Sequence, residues 1–244
     1  MRPLKLRLAG LRVGYPDPPI PMTHTPAPKP VSTDLAAIVV LLSPARLSTY
    51  PGADDASRLV SYAKNAKLSE ALFPVLQHLE ICLRNRWEVV LASRFGADWY
   101  DNPSLNRLLN NYGQLELRKG KDKLTKLGRS FSSGAIIAEQ TFGFWTSLFG
   151  TNYEKVLWVP HARDLLPHAL PSERDIKAIR IELKMIRDLR NRLAHHEPIL
   201  MRHSLWSDYE VALKWLNWIA PEVEAWLKSS SVDRFPEVYK ANRL

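Results

Sequence analysis

Arginine, asparagine and histidine stand at positions 190, 191 and 195, within the stretch R-D-L-R-N-R-L-A-H-H-E-P of residues 187–198. These side-chain types move protons and hold phosphoryl charge. An imidazole in an ordinary setting titrates near about pH 6.5, and a guanidinium stays charged and offers five N–H donors. Asn191 and His195 are four residues apart, one turn of a helix, so the amide is placed to orient the ring. Pro198 disfavours helical geometry at Glu197, which predicts a helix end among His195, His196 and Glu197. Two histidines and a carboxylate in a row also suggest a metal ligand set, but neighbouring helical histidines point apart and no partner set is evident, so no metal and no cofactor are expected.

The helix leading into this stretch is legible. Ser172 is an N-cap residue type with Asp175 three positions on, and Ile176, Ile179, Leu183 and Ile186 follow a 3,4,3 spacing. The next places on that stripe are Arg190 and Leu193, so the spacing puts a guanidinium on the buried side, where it needs an anion. A second long helix is predicted over residues 69–95. Its stripe is Leu72, Leu76, Leu79, Leu83, Trp87 and Val90, Pro74 falls in its first turns and Gly96 stops it. On it Glu80, Arg84 and Glu88 step by four as a ladder of opposite charges. Such a ladder is commonly a solvated face; if the two long helices pack antiparallel, Glu80 becomes a partner for Arg190. The same residues therefore also describe a structural Arg–Glu pair with two surface histidines at a helix C-terminus, where cations are favoured in any case.

The remaining chain supplies more helices and no alternating strand pattern, and ten glycines in 244 residues point the same way: the fold class is all-α. Helices are expected over residues 35–42, from Pro44 behind an Ser43 N-cap, and over 54–67, 104–111, 114–131, 172–196 and 205–220, with Pro221 opening a further turn. The aromatic block at residues 142–149 reads as core packing in preference to base stacking. Residues 1–33 hold eight of the eighteen prolines and read as a disordered leader containing Met22, a candidate alternative start; residues 34–229 form the helical domain, and 230–244 a frayed tail.

The net charge is +9, with a pI near 9.7, which points to a polyanion or an anionic surface as partner. The excess is localised: residues 102–134 carry seven Lys and Arg against two acids, and so +5 of the +9. Arg118, Lys119, Lys121, Lys123, Lys126 and Arg129 are the predicted phosphate contacts, although they spread around their helix as on many solvated helices. A triple Lys119, Lys121 and Lys123 to Gln replacement is expected to weaken binding of a phosphate chain and leave stability little changed. One cysteine, Cys82, excludes an internal disulfide framework and fits a reducing cytoplasm. The longest apolar run is too short to span a bilayer, so no membrane partner is expected.

Four blocks in order, L-S-P-A-R-L-S-T-Y (42–50), L-F-P-V-L-Q-H-L-E-I-C-L-R-N-R (72–86), F-G-F-W-T-S-L-F (142–149) and L-R-N-R-L-A-H-H-E-P-I (189–199), resemble the Abi-like (abortive infection) proteins of the HEPN superfamily. The resemblance implies a HEPN-like helical bundle with additional helices, often dimeric, acting as a metal-independent endoribonuclease in antiviral defence. It assigns the Arg-Asn-x3-His element to Arg190, Asn191 and His195, with His196 as the alternative histidine. Glu80, Arg84 and Glu197 are the expected supporting residues, RNA, a second copy of the chain and a phage or host trigger the expected partners. Members controlled by nucleotidyl transfer carry a tyrosine two after the motif histidine, and Glu197 stands here instead. A non-catalytic module that binds RNA or protein stays open beside the nuclease, as does a helical scaffold.

Overall fold

The structure, a computed structural model, describes residues 34–242, and no strand occurs among them. The leader expected over residues 1–33, with Met22, lies outside the described residues. The order is α1 (Leu35–Leu42), α2 (Pro44–Leu47), α3 (Asp55–Phe95), α4 (Pro103–Leu108), α5 (Asn111–Lys126), α6 (Ser133–Glu139), α7 (Phe142–Ser147), α8 (Ala162–Leu165), α9 (Ile176–Ala194), α10 (Leu205–Ile219), α11 (Pro221–Ser229) and α12 (Phe235–Asn242). Short 3-10 and π turns link α7 to α9.

The axis of the bundle is α3, and it is longer than its sequence signals suggest. Asp54 caps it: the carboxylate accepts from the Ser57 N–H at 2.7 Å while Ser57 Oγ accepts from the Asp54 N–H at 3.1 Å, a reciprocal capping box. Forty-one residues follow without a break, roughly 60 Å of helix. The expected division into 54–67 and 69–95 does not occur. Between its two halves lies Leu68, 1% exposed, and no Gly or Pro falls between residues 54 and 73, so Ser69 is an interior residue and not a cap. Pro74 accordingly sits well inside the helix, where it deprives the Glu70 carbonyl of its usual donor. Burial of Ala71, Leu72, Val75 and Leu76 around it offsets that loss.

Helices α2, α7, α8, α9, α10 and α12 all pack on α3. The aromatic block fills the centre: Phe142, Phe144, Trp145 and Phe149 are buried, with Phe149 edge-on to Trp87 at 5.0 Å and to Trp215 at 5.9 Å. Its rings are therefore core and not a platform for bases. Helix α9 begins one cap later than expected. Asp175 accepts from the Ala178 N–H at 2.8 Å, whereas Ser172 lies in a preceding 3-10 turn. It runs antiparallel to α3: near its start Arg180 donates to the carbonyl of Phe149, beside Trp87, while Arg190 at its far end meets Glu80. The frayed tail expected over 230–244 is corrected as far as Asn242. Val232 and Val238 pack on the core and Phe235 is 0% exposed, because α12 lays an apolar face on α3.

Candidate functional site

Of the α9 stripe, Ile179, Leu183, Ile186, Leu189 and Leu193 are buried. The expected burial of Arg190 is corrected: Leu189 is the buried residue at that turn, and the Arg190 side chain remains 37% exposed at the rim of the α3–α9 seam. There its Nε donates to Glu80 Oε2 at 3.1 Å, so the two long helices do bring these residues together. A single bond through Nε fixes the plane of the guanidinium and leaves its two amino ends without another hydrogen bond among the described residues.

The charge ladder on α3 does not form as ion pairs. Glu80 is engaged by Arg190, and Glu88 accepts from Ser133 Oγ at 2.7 Å. Arg84, between them, makes no ion pair among the described residues, and its Nε is buried with no hydrogen-bond partner. Both arginines line an open groove of about 330 Å³ between α3 and α9, lined also by Phe73, Ile81 and Leu193. Cys82 is close by in sequence, but burial pushes its thiol up, which keeps it protonated and unsuited to nucleophilic work.

The end of α9 is built as a Schellman turn. The Glu197 N–H donates to the Arg192 carbonyl at 2.8 Å and the His196 N–H to the Leu193 carbonyl at 3.1 Å. His196 holds the left-handed position, φ +55°, where glycine or asparagine is commoner. His195 is the C-cap, as the sequence reading placed the helix end. Asn191, His195, His196 and Glu197 are exposed; the His195 N–H donates to the Asn191 carbonyl at 2.9 Å, but no side-chain hydrogen bond joins the pair; Glu197 pairs with Arg192 at 3.4 Å. On a helix, Arg190 and His195 differ by about 140° in direction, Asn191 and His195 by about 40°. The expected convergence of Arg190, Asn191 and His195 is thus split: the amide and imidazole share the solvent face and the guanidinium faces α3.

What the sequence reading missed is the scaffold of this turn. Asn65 Oδ1 accepts from the N–H groups of Ile199 at 2.7 Å and Leu200 at 3.0 Å, and Arg46 donates to the His196 carbonyl at 2.9 Å. Arg202 binds Asp208, whose side chain is wholly buried. The signals were present: Asn65 is a poor helix former inside α3, Asp208 interrupts an apolar stripe, and Arg46 sits in the first of the four family-like blocks.

The basic segment is largely spoken for. Lys119 pairs with Glu116 at 2.8 Å, Lys123 with Glu139 at 2.6 Å, and Lys121 with Asp101. The carboxylates of Glu116 and Glu139 are nearly buried, at 10% and 11% exposed; Lys123 ties α5 to α6 through Glu139, whereas the Lys119–Glu116 pair lies within α5. Arg118, Lys126 and Arg129 are exposed with no ion pair among the described residues, and Arg129 lies beyond the helix, past Gly128 at φ +63°. Among the described residues, no three His, Cys, Asp or Glu side chains come together as a metal site, and no helix is long and apolar enough to cross a membrane. Comparison of the chain with family models, curated proteins and solved structures returns no match.

Proposed function

We propose that the chain is a HEPN-like, metal-independent endoribonuclease whose site is shared between two copies of the chain in a homodimer, acting in abortive-infection defence. The observation that carries this is Arg190, aimed by Glu80 with its amino ends free, one turn before exposed His195 on a turn held by Asn65 and Arg46. Its family setting rests on the four sequence blocks.

In this reading the 2′-hydroxyl of the substrate attacks the adjacent phosphorus. One His195 imidazole accepts the hydroxyl proton as the 2′-O–P bond forms, and a second delivers a proton to the 5′-oxygen as the P–O5′ bond breaks. The products are a 2′,3′-cyclic phosphate and a 5′-hydroxyl. Arg190 stabilises the charge that builds on the phosphorane oxygens, the electrostatic contribution that is generally largest. One chain has a single His195, and it faces away from Arg190; two chains about a two-fold axis supply the acid, the base and two guanidiniums.

The test is cleavage of cellular RNA by purified protein, with end sequencing. His195→Ala or Arg190→Ala should slow cleavage by about 100-fold or more, and activity should persist in chelator. Unchanged cutting by both variants removes the site, and activity restored only by a divalent ion moves the chemistry to another class. A second reading is favoured by the separation of Asn191 and His195 from Arg190: a non-catalytic RNA- or protein-binding module acting as sensor or regulator. Under it His195→Ala leaves function intact.

A further inference from the structure

The groove between α3 and α9 contains groups that the reaction above does not use. Arg84 has a buried Nε with no partner, and both carboxylates a turn away are engaged elsewhere, Glu80 by Arg190 and Glu88 by Ser133. Arg84 lines the groove without an ion pair among the described residues, so its guanidinium charge is left for an anion there. At the mouth two guanidiniums face one carboxylate, which leaves a net positive charge after the internal pair is counted. At the other end Phe73, a large apolar side chain, is 53% exposed. Phe73 and Arg84 are eleven residues apart, about 20° in direction, so they lie on one face of α3. They also line the same cavity. Their separation along the axis is roughly 16 Å, more than one mononucleotide spans once the side chains lean inward.

We propose that this groove is a subsite for single-stranded RNA. Arg84, together with the free amino ends of Arg190, holds a backbone phosphate, and a base one or more nucleotides away lies on the ring of Phe73. The planar guanidinium fork suits phosphate oxygens, and the exposed ring gives a sequence-tolerant stacking surface. A bare anion would satisfy Arg84 and leave Phe73 in water. The assignment of RNA as the ligand rests on the ribonuclease reading; the two cation sites and the ring do not.

The test uses the full chain and a 2′-O-methyl tetranucleotide, which lacks the attacking hydroxyl, with inorganic phosphate as the second probe. Arg84→Gln should weaken tetranucleotide binding by about 10- to 100-fold, the scale of a lost charge-assisted contact, and flatten the log–log salt slope by roughly 0.7. Phe73→Ala should weaken it by about tenfold with the slope unchanged, and leave phosphate binding as it was. Should Arg84→Gln fail to fold, Arg84→Lys retains the charge and loses the fork, and an intermediate loss is expected. Wild-type affinity in both Phe73→Ala and the Arg84 variant overturns the proposal, and loss in the Arg84 variant alone reduces the groove to an anion site and overturns the base assignment. The outcomes separate from those of catalysis. Cleavage that depends on His195 while both groove variants bind and cut normally sinks the subsite and keeps the nuclease. Binding through Arg84 and Phe73 by a protein that cuts no RNA does the reverse.

Discussion

Glu80→Ala against Glu80→Gln separates the two tasks the carboxylate performs for Arg190. The pair is bridged by one bond of 3.1 Å, with side-chain exposures of 17% for Glu80 and 37% for Arg190. A hydrogen bond to a charged group contributes about 1.5–3 kcal/mol when sheltered. With the guanidinium over a third exposed, water screens the pair and resolvates Arg190 after the loss, so alanine should destabilise by about 1 kcal/mol. For a domain of this size that is a fall of about 2–4 °C in Tm. The effect on cleavage should be far larger, because an unanchored guanidinium is misplaced by an ångström or more, a displacement worth about 100-fold. Glutamine keeps a carbonyl oxygen to accept from Nε, holds the plane, and should stay within about tenfold of wild type. The loss in alanine should fall on kcat, with KM little changed, since a group that acts on the phosphorane binds the transition state more than the ground state. Single-turnover cleavage and thermal melts of both variants decide it. Equal rates for wild type and Glu80→Ala would refute the positioning role and leave a structural ion pair.

Asn65→Ala orphans the buried Ile199 amide and the half-buried Leu200 amide and should lower stability by about 2–4 kcal/mol; an unmoved urea midpoint would count against it. The Lys119, Lys121 and Lys123 to Gln triple variant is now expected to leave the RNA salt slope unchanged and to cost about 1 kcal/mol, since the lysines pair with Glu116, Asp101 and Glu139. Arg118, Lys126 and Arg129 to Gln should flatten that slope by roughly 0.7 per contact, read from titrations at several salt concentrations; a reversed pattern would restore the lysines as the phosphate track.

Legibility followed the range of the interaction. Helix class, the core role of residues 142–149 and the end of α9 were readable because periodicity, aromatic density and Pro198 act locally. Even the Glu80–Arg190 contact was readable, as two long amphipathic helices that pack antiparallel by their apolar stripes bring opposite charges at the edges of those stripes together. The union of α3 was not, because Ser69 and Pro74 carry helix-start signals that burial of Leu68 and Leu72 overrides. Nor was the allegiance of the α5 lysines: their partners Asp101 and Glu139 lie on other elements, and charge counted along the chain cannot tell a paired lysine from a free one. The position of Arg190 failed more narrowly. Leu189 and Arg190 compete for the inward place as the seam drifts around α9, and the leucine takes it since the guanidinium keeps water at the rim.

That rim position bears directly on the number of chains a complete site needs. Arg190 and His195 are five residues apart on one helix end, about 140° apart in direction and roughly 7 Å along the axis, and the bonds from Asn65 and Arg46 hold the turn in that arrangement. In the proposed shared site, a phosphate resting on Arg190 in the α3–α9 groove would therefore be met by a histidine of a second copy. In the proposed reaction one His195 is the base and the other the acid, so both chains must keep theirs. Arg190→Ala and His195→Ala chains, each inactive alone, should therefore stay inactive when unfolded and refolded together: random pairing makes half of the dimers mixed, and each mixed dimer holds a single intact histidine and a single intact arginine. Wild-type chains refolded with an equal amount of His195→Ala chains should give about a quarter of the wild-type rate, that of the fully wild-type dimers alone. Recovery toward about a quarter of the wild-type rate in the Arg190→Ala and His195→Ala mixture would show instead that one guanidinium and one imidazole suffice, and would reject the paired histidines. A monomer that cuts RNA would reject the shared site altogether.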